Sequence, residues 1–178
     1  SIWMVGNMPL PQWGIGLMTA RDNTTFIHYI GYILVMGLLV AAAATNVGHE
    51  LTHRKRNKFD MFVGNWLLAL TWDCSFAIEH VFGHHKYLAT DEDPATAKRG
   101  QNPYAFILRA TFIAHRNAWR IENKRLLKNN HNKISIHNRM LIGYGRSILI
   151  TLGALYISGL AGLIMFFFIA VGGKVMLE

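Results

Sequence analysis

An all-α, multi-pass transmembrane protein with cytoplasmic amphipathic helices is the fold class this sequence predicts. Three observations predict it. Of 178 residues, 52% are hydrophobic and only 16% are charged, against about 25% charged in average soluble domains. Residues 26–47 contain no Asp, Glu, Lys or Arg, and about 20 such residues span a bilayer core. Two histidine clusters, His49-Glu50-Leu51-Thr52-His53 and Glu79-His80-Val81-Phe82-Gly83-His84-His85, stand beside long apolar runs. Length permits one domain over residues 1–178.

Each element follows in order. Residues 1–23, with Pro9, Pro11, Trp3 and Trp13, read as a loop or interfacial stretch. Residues 26–47 are a transmembrane helix, with His28 an interfacial side chain near its outer end. Residues 59–78 are long enough to cross, but Gly64, Asn65 and Asp73 interrupt them. A full crossing would put the two histidine clusters on opposite sides of the membrane. An interfacial or re-entrant segment that returns to the same face is therefore expected. Residues 86–140 form a cytoplasmic basic region: a turn at Ala89–Pro94, a mixed apolar and basic helix over 104–128 suited to an anionic leaflet, and a polar loop carrying solvated His131 and His137. Residues 141–177 are too long for one crossing: as one helix they would reach about 55 Å against a core of about 30 Å. A hairpin is expected, 141–158 outward and 160–177 back, broken at Ser158-Gly159.

Charge and cysteine content narrow the class. The net charge is +8, and Lys98 to Arg139 holds ten of the eighteen Lys and Arg against one acid, Glu122. These bases flank apolar segments, so the positive-inside rule accounts for them and nucleic acid is set aside as a partner. Cys74 is the only cysteine. An intrachain disulfide and Cys-based metal sites are excluded, and Cys74 reads as a small packing residue. The chain starts at Ser1, and Glu178 follows directly on an apolar run; both ends read as cuts through a longer protein.

Neutral imidazole suits iron, zinc and copper. On a helix, His49 and His53 share a face, His80 and His84 repeat that geometry, and His85 lies about 100° further round, placed for a second ion. All five are candidate metal ligands at a bilayer surface. His49-Glu50-Leu51-Thr52-His53 also matches the zinc-protease pattern H-E-x-x-H, with the Glu as general base. That reading needs a third ligand and leaves the second cluster unexplained. Polar helix ends at a membrane interface are the bland alternative.

The residues Gly48 to Lys55 (GHELTHRK), Glu79 to Tyr104 (EHVFGHHKYLATDEDPATAKRGQNPY) and Asn117 to Leu126 (NAWRIENKRL) together resemble the alkane 1-monooxygenase (alkane ω-hydroxylase) branch of the membrane-bound histidine-box fatty acid desaturase and hydroxylase superfamily. The resemblance covers most of the chain. It implies a fatty acid desaturase-like fold and a centre of two iron ions, to which His49, His53, His80, His84 and His85 map as ligands. It implies hydroxylation of the terminal methyl of alkanes with O2 and with electrons from rubredoxin and rubredoxin reductase. Desaturation of acyl chains and xylene-type hydroxylation are the alternatives within the fold, and a non-catalytic metal-binding membrane piece is the alternative outside it. The family's His-Tyr-Gly motif and third histidine box are not in this sequence, so the resemblance implies a fragment inactive alone.

Glu50 and Glu79 adjoin ligands and are expected to orient imidazoles by accepting N–H bonds, against a reading as solvated helix-end carboxylates. Asp73, Asp91 and Asp93 are weaker candidates for the same role, and for Asp93 a turn before Pro94 competes. Trp66, Leu70, Phe76 and Ile78 are candidate lining residues for an apolar substrate entering from membrane lipid, against ordinary helix packing. The basic surface from Lys98 to Arg139 suits an acidic electron donor or lipid headgroups. The resemblance implies the bacterial inner membrane, histidines facing the cytoplasm.

Overall fold

The computed structural model describes residues 23–175. The expected N-terminal interfacial stretch, apart from its last residue, and the last two residues of the expected hairpin lie outside this range. Among the described residues all regular structure is helical. Two helices, Phe26–His53 and Arg139–Val175, are long and apolar enough to cross a membrane.

Helix α1 is Phe26–His53. The Thr25 amide donates to His28 Nδ1 at 3.1 Å at its start, so His28 serves the helix end. A π-helical turn occupies Val40–Thr45. Beyond it the helix carries His49 and His53. Asn57 caps α2, Lys58–Ala69, its side chain accepting from the Phe59 and Asp60 amides. Twelve residues give about 18 Å, too short to cross a core of about 30 Å. Gly48 and Gly64 let α1 and α2 approach closely: a Cβ on Gly64 would lie 3.0 Å from the Gly48 carbonyl.

The chain turns through residues 70–75, where Trp72 takes φ 56. It then runs back as α3, residues 76–87, in which a π-helical turn spans His80–His84. Segment 59–78 is thus two helices joined by a turn. It descends beside the end of α1 and returns to it, Phe76 and His80 both meeting the His49 ring.

Asn102 caps α4, Pro103–Lys128, with Pro103 in the first turn, where a missing N–H costs nothing. Asn138, fully buried, caps α5, Arg139–Val175, accepting from the Met140 and Leu141 amides. Within α5, Gly159 is non-helical at φ 64, ψ −161. Thr151 meets Trp72 and Lys174 meets Asp73, adjacent residues. In a straight helix those two partners would stand about 34 Å apart, so α5 folds back at Gly159. Its return arm lies on α1 through Gly173, where a Cβ would sit 3.4 Å from the Gly37 carbonyl.

Apart from Leu68, Ile78, Leu126 and Met140, the interior is mostly small and polar residues, among them Ala41, Ala44 and Thr45 of α1, and Ser147 and Ala170 of α5. Large apolar side chains such as Leu38, Tyr156 and Phe167 face outward. That inversion suits lipid, where helices associate through close backbone approach and polar contacts. Cys74, Ile78, Ala118 and Met140 form a small core joining α3, α4 and α5. The outward stripe of α4 changes character along its length. Tyr104, Leu108 and Phe112 are exposed in its first half, and Arg116, Arg120 and Lys124 continue the same stripe in its second.

Glu122 ties α4 to α5. It is fully buried, and Arg125 donates to it through Nε at 2.9 Å and Nη2 at 2.7 Å. Arg139 donates through its amide, Nε and Nη2 at 2.7, 2.9 and 2.7 Å. Burial alone would raise the Glu122 pKa, but the hydrogen bonds from Arg125 and Arg139 outweigh it and hold the carboxyl down to about 2. A folded-state pKa below the ordinary value of 4.5 contributes stability above that value and loses it as pH falls toward 2. Glu122→Ala strands two arginines and should cost about 3 kcal/mol. Thermal unfolding in detergent should show this at pH 7 and a much smaller difference from wild type near pH 2; an equal Tm at pH 7 would contradict the assigned role.

Candidate metal centre

The last two turns of α1 project His49 and His53 from one face, and their Nε2 atoms approach to 2.8 Å. Thr52 Oγ1 donates to the His49 carbonyl at 2.7 Å. Helix α3 supplies the other three rings. The His49 and His80 ring centroids are 4.4 Å apart, and His53 and His85 are 5.0 Å apart. One ligand nitrogen from each of His49, His53 and His80 lies within 4.8 Å of the others. With metal–nitrogen bonds of about 2.0–2.1 Å, nitrogens on one ion stand at most about 4.2 Å apart, so small side-chain shifts bring the trio onto a shared ion.

The pairing on α3 differs from the expected one. His80 and His84 stack with ring planes 19° apart, but the close nitrogen contact is His80 Nε2 to His85 Nε2, at 3.1 Å. The cause is the π-helical turn at His80–His84. Its i→i+5 hydrogen bonding adds a residue to the turn, so residue 85 lies where residue 84 of an α-helix would.

His84 is freed for another contact. Its Nδ1 is 3.0 Å from both oxygens of Asp93. Asp93 is 3% exposed and also accepts from the Ala95 amide at 3.0 Å and Thr96 Oγ1 at 2.6 Å. Burial would raise its pKa, but the bonds from Thr96, His84 and Ala95 hold the carboxyl below its ordinary range. An ionised Asp93 keeps the proton on Nδ1 of His84 and leaves Nε2 as a lone-pair donor. Asp93 thus both shapes the turn before Pro94 and orients a histidine.

The other acids are placed differently. Glu79 is buried against Gly83 and lines a cavity with His49, His80 and His84. Glu50 is exposed on α1. Asp91 is on the surface beside Lys98. Asp73 pairs with Lys174 at 2.8 Å, a contact between residues too distant in sequence for spacing to reveal. His115 meets the Tyr144 hydroxyl, which also accepts from Trp119 Nε1 at 3.2 Å. His131 and His137 stack on each other in the loop before α5.

Burial and the neighbouring imidazoles push His80 down to about 3, so it is neutral at pH 7 and its lone pair is available. An all-imidazole donor set fits iron, zinc or copper. The cavity beside the rings measures about 310 Å³. Phe76 stacks on His80, with ring centroids 4.6 Å apart, and stands edge-on to His49. Of the expected lining residues only Phe76 reaches this cavity. Trp66 lies under Arg146, Ile78 is in the small core, and Leu70 faces a groove between α1 and α5.

Residues 24–177 match the family described as fatty acid desaturase. The chain belongs to the fatty acid desaturase family. It is 33% identical over 154 residues to alkane 1-monooxygenase 1 of Pseudomonas aeruginosa, a match covering 86% of this chain and 40% of that protein. It is 34% identical to alkane 1-monooxygenase 2 of Alcanivorax borkumensis, over 77% of this chain and 36% of the relative. It is 32% identical to the xylene/toluene monooxygenase hydroxylase component of Pseudomonas putida, over 64% of this chain and 30% of the relative. The chain spans at most about two fifths of the length of the relatives it matches. Both histidine clusters of this fatty acid desaturase family member fall inside the matched region.

Two substitutions test the geometry. Asp93→Asn removes the charge that holds the His84 proton and should weaken metal binding by about 10–100-fold, read by competition with a chelator; unchanged affinity would leave Asp93 a turn residue only. A Cβ on Gly83 would lie 2.5 Å from Glu79 Oε1, so Gly83→Ala must displace that carboxylate. It should lower stability by about 1–3 kcal/mol and reduce bound metal, both measured on the purified protein.

Proposed function

We propose that this chain is part of a non-haem di-iron membrane monooxygenase that hydroxylates the terminal methyl of alkanes. It uses O2 and electrons from rubredoxin, itself reduced by rubredoxin reductase. The convergence of five imidazoles from α1 and α3 beside a cavity faced by Phe76 carries this reading. The relatives named alkane 1-monooxygenase support it.

His49, His53, His80, His84 and His85 would hold iron, with further ligands from a His-Tyr-Gly motif and a third histidine box in the longer protein. The two irons, when bound, would supply oxygen activation for attack on an unactivated C–H bond. The residues of this chain do the rest. Asp93 holds the His84 proton at Nδ1. Burial and its neighbours keep His80 neutral. Phe76, Phe106 and Ala110 give the cavity apolar walls that exclude water and position a hydrocarbon. The xylene/toluene relative favours a second reading, hydroxylation of an aromatic methyl by the same centre.

The topology follows from the shared site. His49, His85 and Lys124 would face the cytoplasm of a bacterial inner membrane. Gly159 would lie at the other side, near Tyr29 and Tyr32 of α1. The basic residues after each histidine cluster support this orientation.

The test is a whole-cell assay of the full-length protein with a matched rubredoxin and reductase, offered octane, hexadecane, xylene and a fatty acyl substrate. Primary alcohols from alkanes are expected, and His84→Ala should abolish them. A double bond in the acyl chain with no alkane alcohol would move the assignment to a desaturase. Anaerobically purified protein should hold two irons; one zinc and no iron would end the di-iron reading. Single cysteines at Lys58 and Lys98 should label from the same side of the membrane.

A further inference from the structure

Two spaces meet at one side chain. The histidine cavity is bordered by Asp73 and Lys174. A larger groove, about 1010 Å³, lies between the first half of α4 and the return arm of α5. Ile107, Leu108 and Phe112 face Leu163, Ile164 and Phe167 across it. Leu108 is 75% exposed, Phe112 68% and Phe167 60%, so the groove opens outward on the lipid-facing side. Lys174 lines both spaces. Its Nζ is 2.8 Å from Asp73 Oδ1, an oxygen that also accepts from Ser75 Oγ at 3.1 Å. A lysine so placed lends its methylene stem to an apolar wall and its charge to the inner end.

We infer that Lys174, held by Asp73, is a specificity-determining stop between the lipid-facing groove and the histidine cavity. It limits how far a saturated alkyl chain advances, so that only the chain end reaches the histidines. The inference rests on the monooxygenase reading above. Lys174 is the one Lys, Arg, Asp or Glu among the described residues lining the groove. A peptide or headgroup would leave polar groups unpaired against such walls, whereas methylenes lose nothing there. At the inner end the balance reverses. Driving methylenes through the pair would separate Lys174 from Asp73 and leave each charge without a partner. The apolar path therefore terminates at a barrier of opposite character, next to the histidines.

The experiment uses the full-length protein in native membranes and a long alkane carrying a diazirine at an internal carbon, with adducts mapped by peptide mass spectrometry. In wild type, adducts should concentrate on Phe112, Leu163 and Phe167. Lys174→Met keeps the stem and removes the charge. Adducts on Phe106 and Ala110 should then rise by about tenfold, the low end of what one methylene of fit discriminates. Products should move from primary toward subterminal alcohols at unchanged iron content. Lys174→Arg should keep the wild-type pattern. If Lys174→Met fails to accumulate, Asp73→Asn, which keeps the lysine but releases it, should shift adducts the same way.

Unshifted adducts in the releasing variants would overturn the stop. So would a groove that takes no adduct because the remainder of the longer protein fills it. The two readings fail separately. Shifted adducts in a protein that oxidises no alkane would end the monooxygenase reading alone. Alkane hydroxylation with unshifted adducts would end the stop alone.

Discussion

The extra residue in the π-helical turn at His80–His84 is the constraint on which the candidate centre depends. In a regular α-helix His80 would stand over His84, and His85 would point about 100° away. With the turn widened, His80 faces His85 and His84 swings to Asp93. One backbone irregularity thus assigns three side chains at once. It also gathers them with His49 and His53 into one group. Burial and four neighbouring rings hold His80 at about 3, so at neutral pH that ring presents a lone pair.

The scaffold holds this arrangement with few large buried side chains. Lipid gives apolar helices little reason to associate, and close backbone approach and polar contacts take over. Gly48 against Gly64 sets α1 on α2, and Gly37 against Gly173 sets α1 on the return arm of α5. Ser147 Oγ donates to the Ala69 carbonyl and Trp72 Nε1 to Thr151, pinning the turn that redirects the chain into α3. Glu122 closes the opposite end by drawing Arg125 and the first residue of α5 onto one carboxylate. The histidines are therefore positioned by contacts made well away from them.

What the sequence revealed and what it hid divide along physical lines. The histidine clusters were visible because imidazoles at short spacing beside apolar runs are distinctive. The charge-free run inside Phe26–His53 was visible because length and hydropathy alone decide it. The π-helical turns left no such mark: Val40–Thr45 and His80–His84 have ordinary composition, and only the fold sets their register. That is why spacing alone paired His80 with His84. Trp66 and Ile78 follow ordinary helix packing, the alternative weighed for each. Asp93 was weighed as a turn residue against an orienting one, and both readings hold, since its reach to His84 depends on a loop closing over α3. Glu50 adjoins a candidate ligand in sequence but faces outward, because neighbours along a helix point about 100° apart. The pairing of Asp73 with Lys174 links distant segments and has no local signature.

Gly159 carries a consequence of a different kind. Its φ of 64 and ψ of −161 fall in a region that is essentially open to glycine alone. Yet a Cβ there would touch nothing within 4 Å. Any replacement is penalised through torsion, by about 1–3 kcal/mol, with no clash and no lost contact. In a saturation-mutagenesis map the hairpin tip would register as intolerant and pass for part of a functional surface. Its intolerance would instead record the geometry of reversal, the requirement that lets one long apolar run serve as two antiparallel arms.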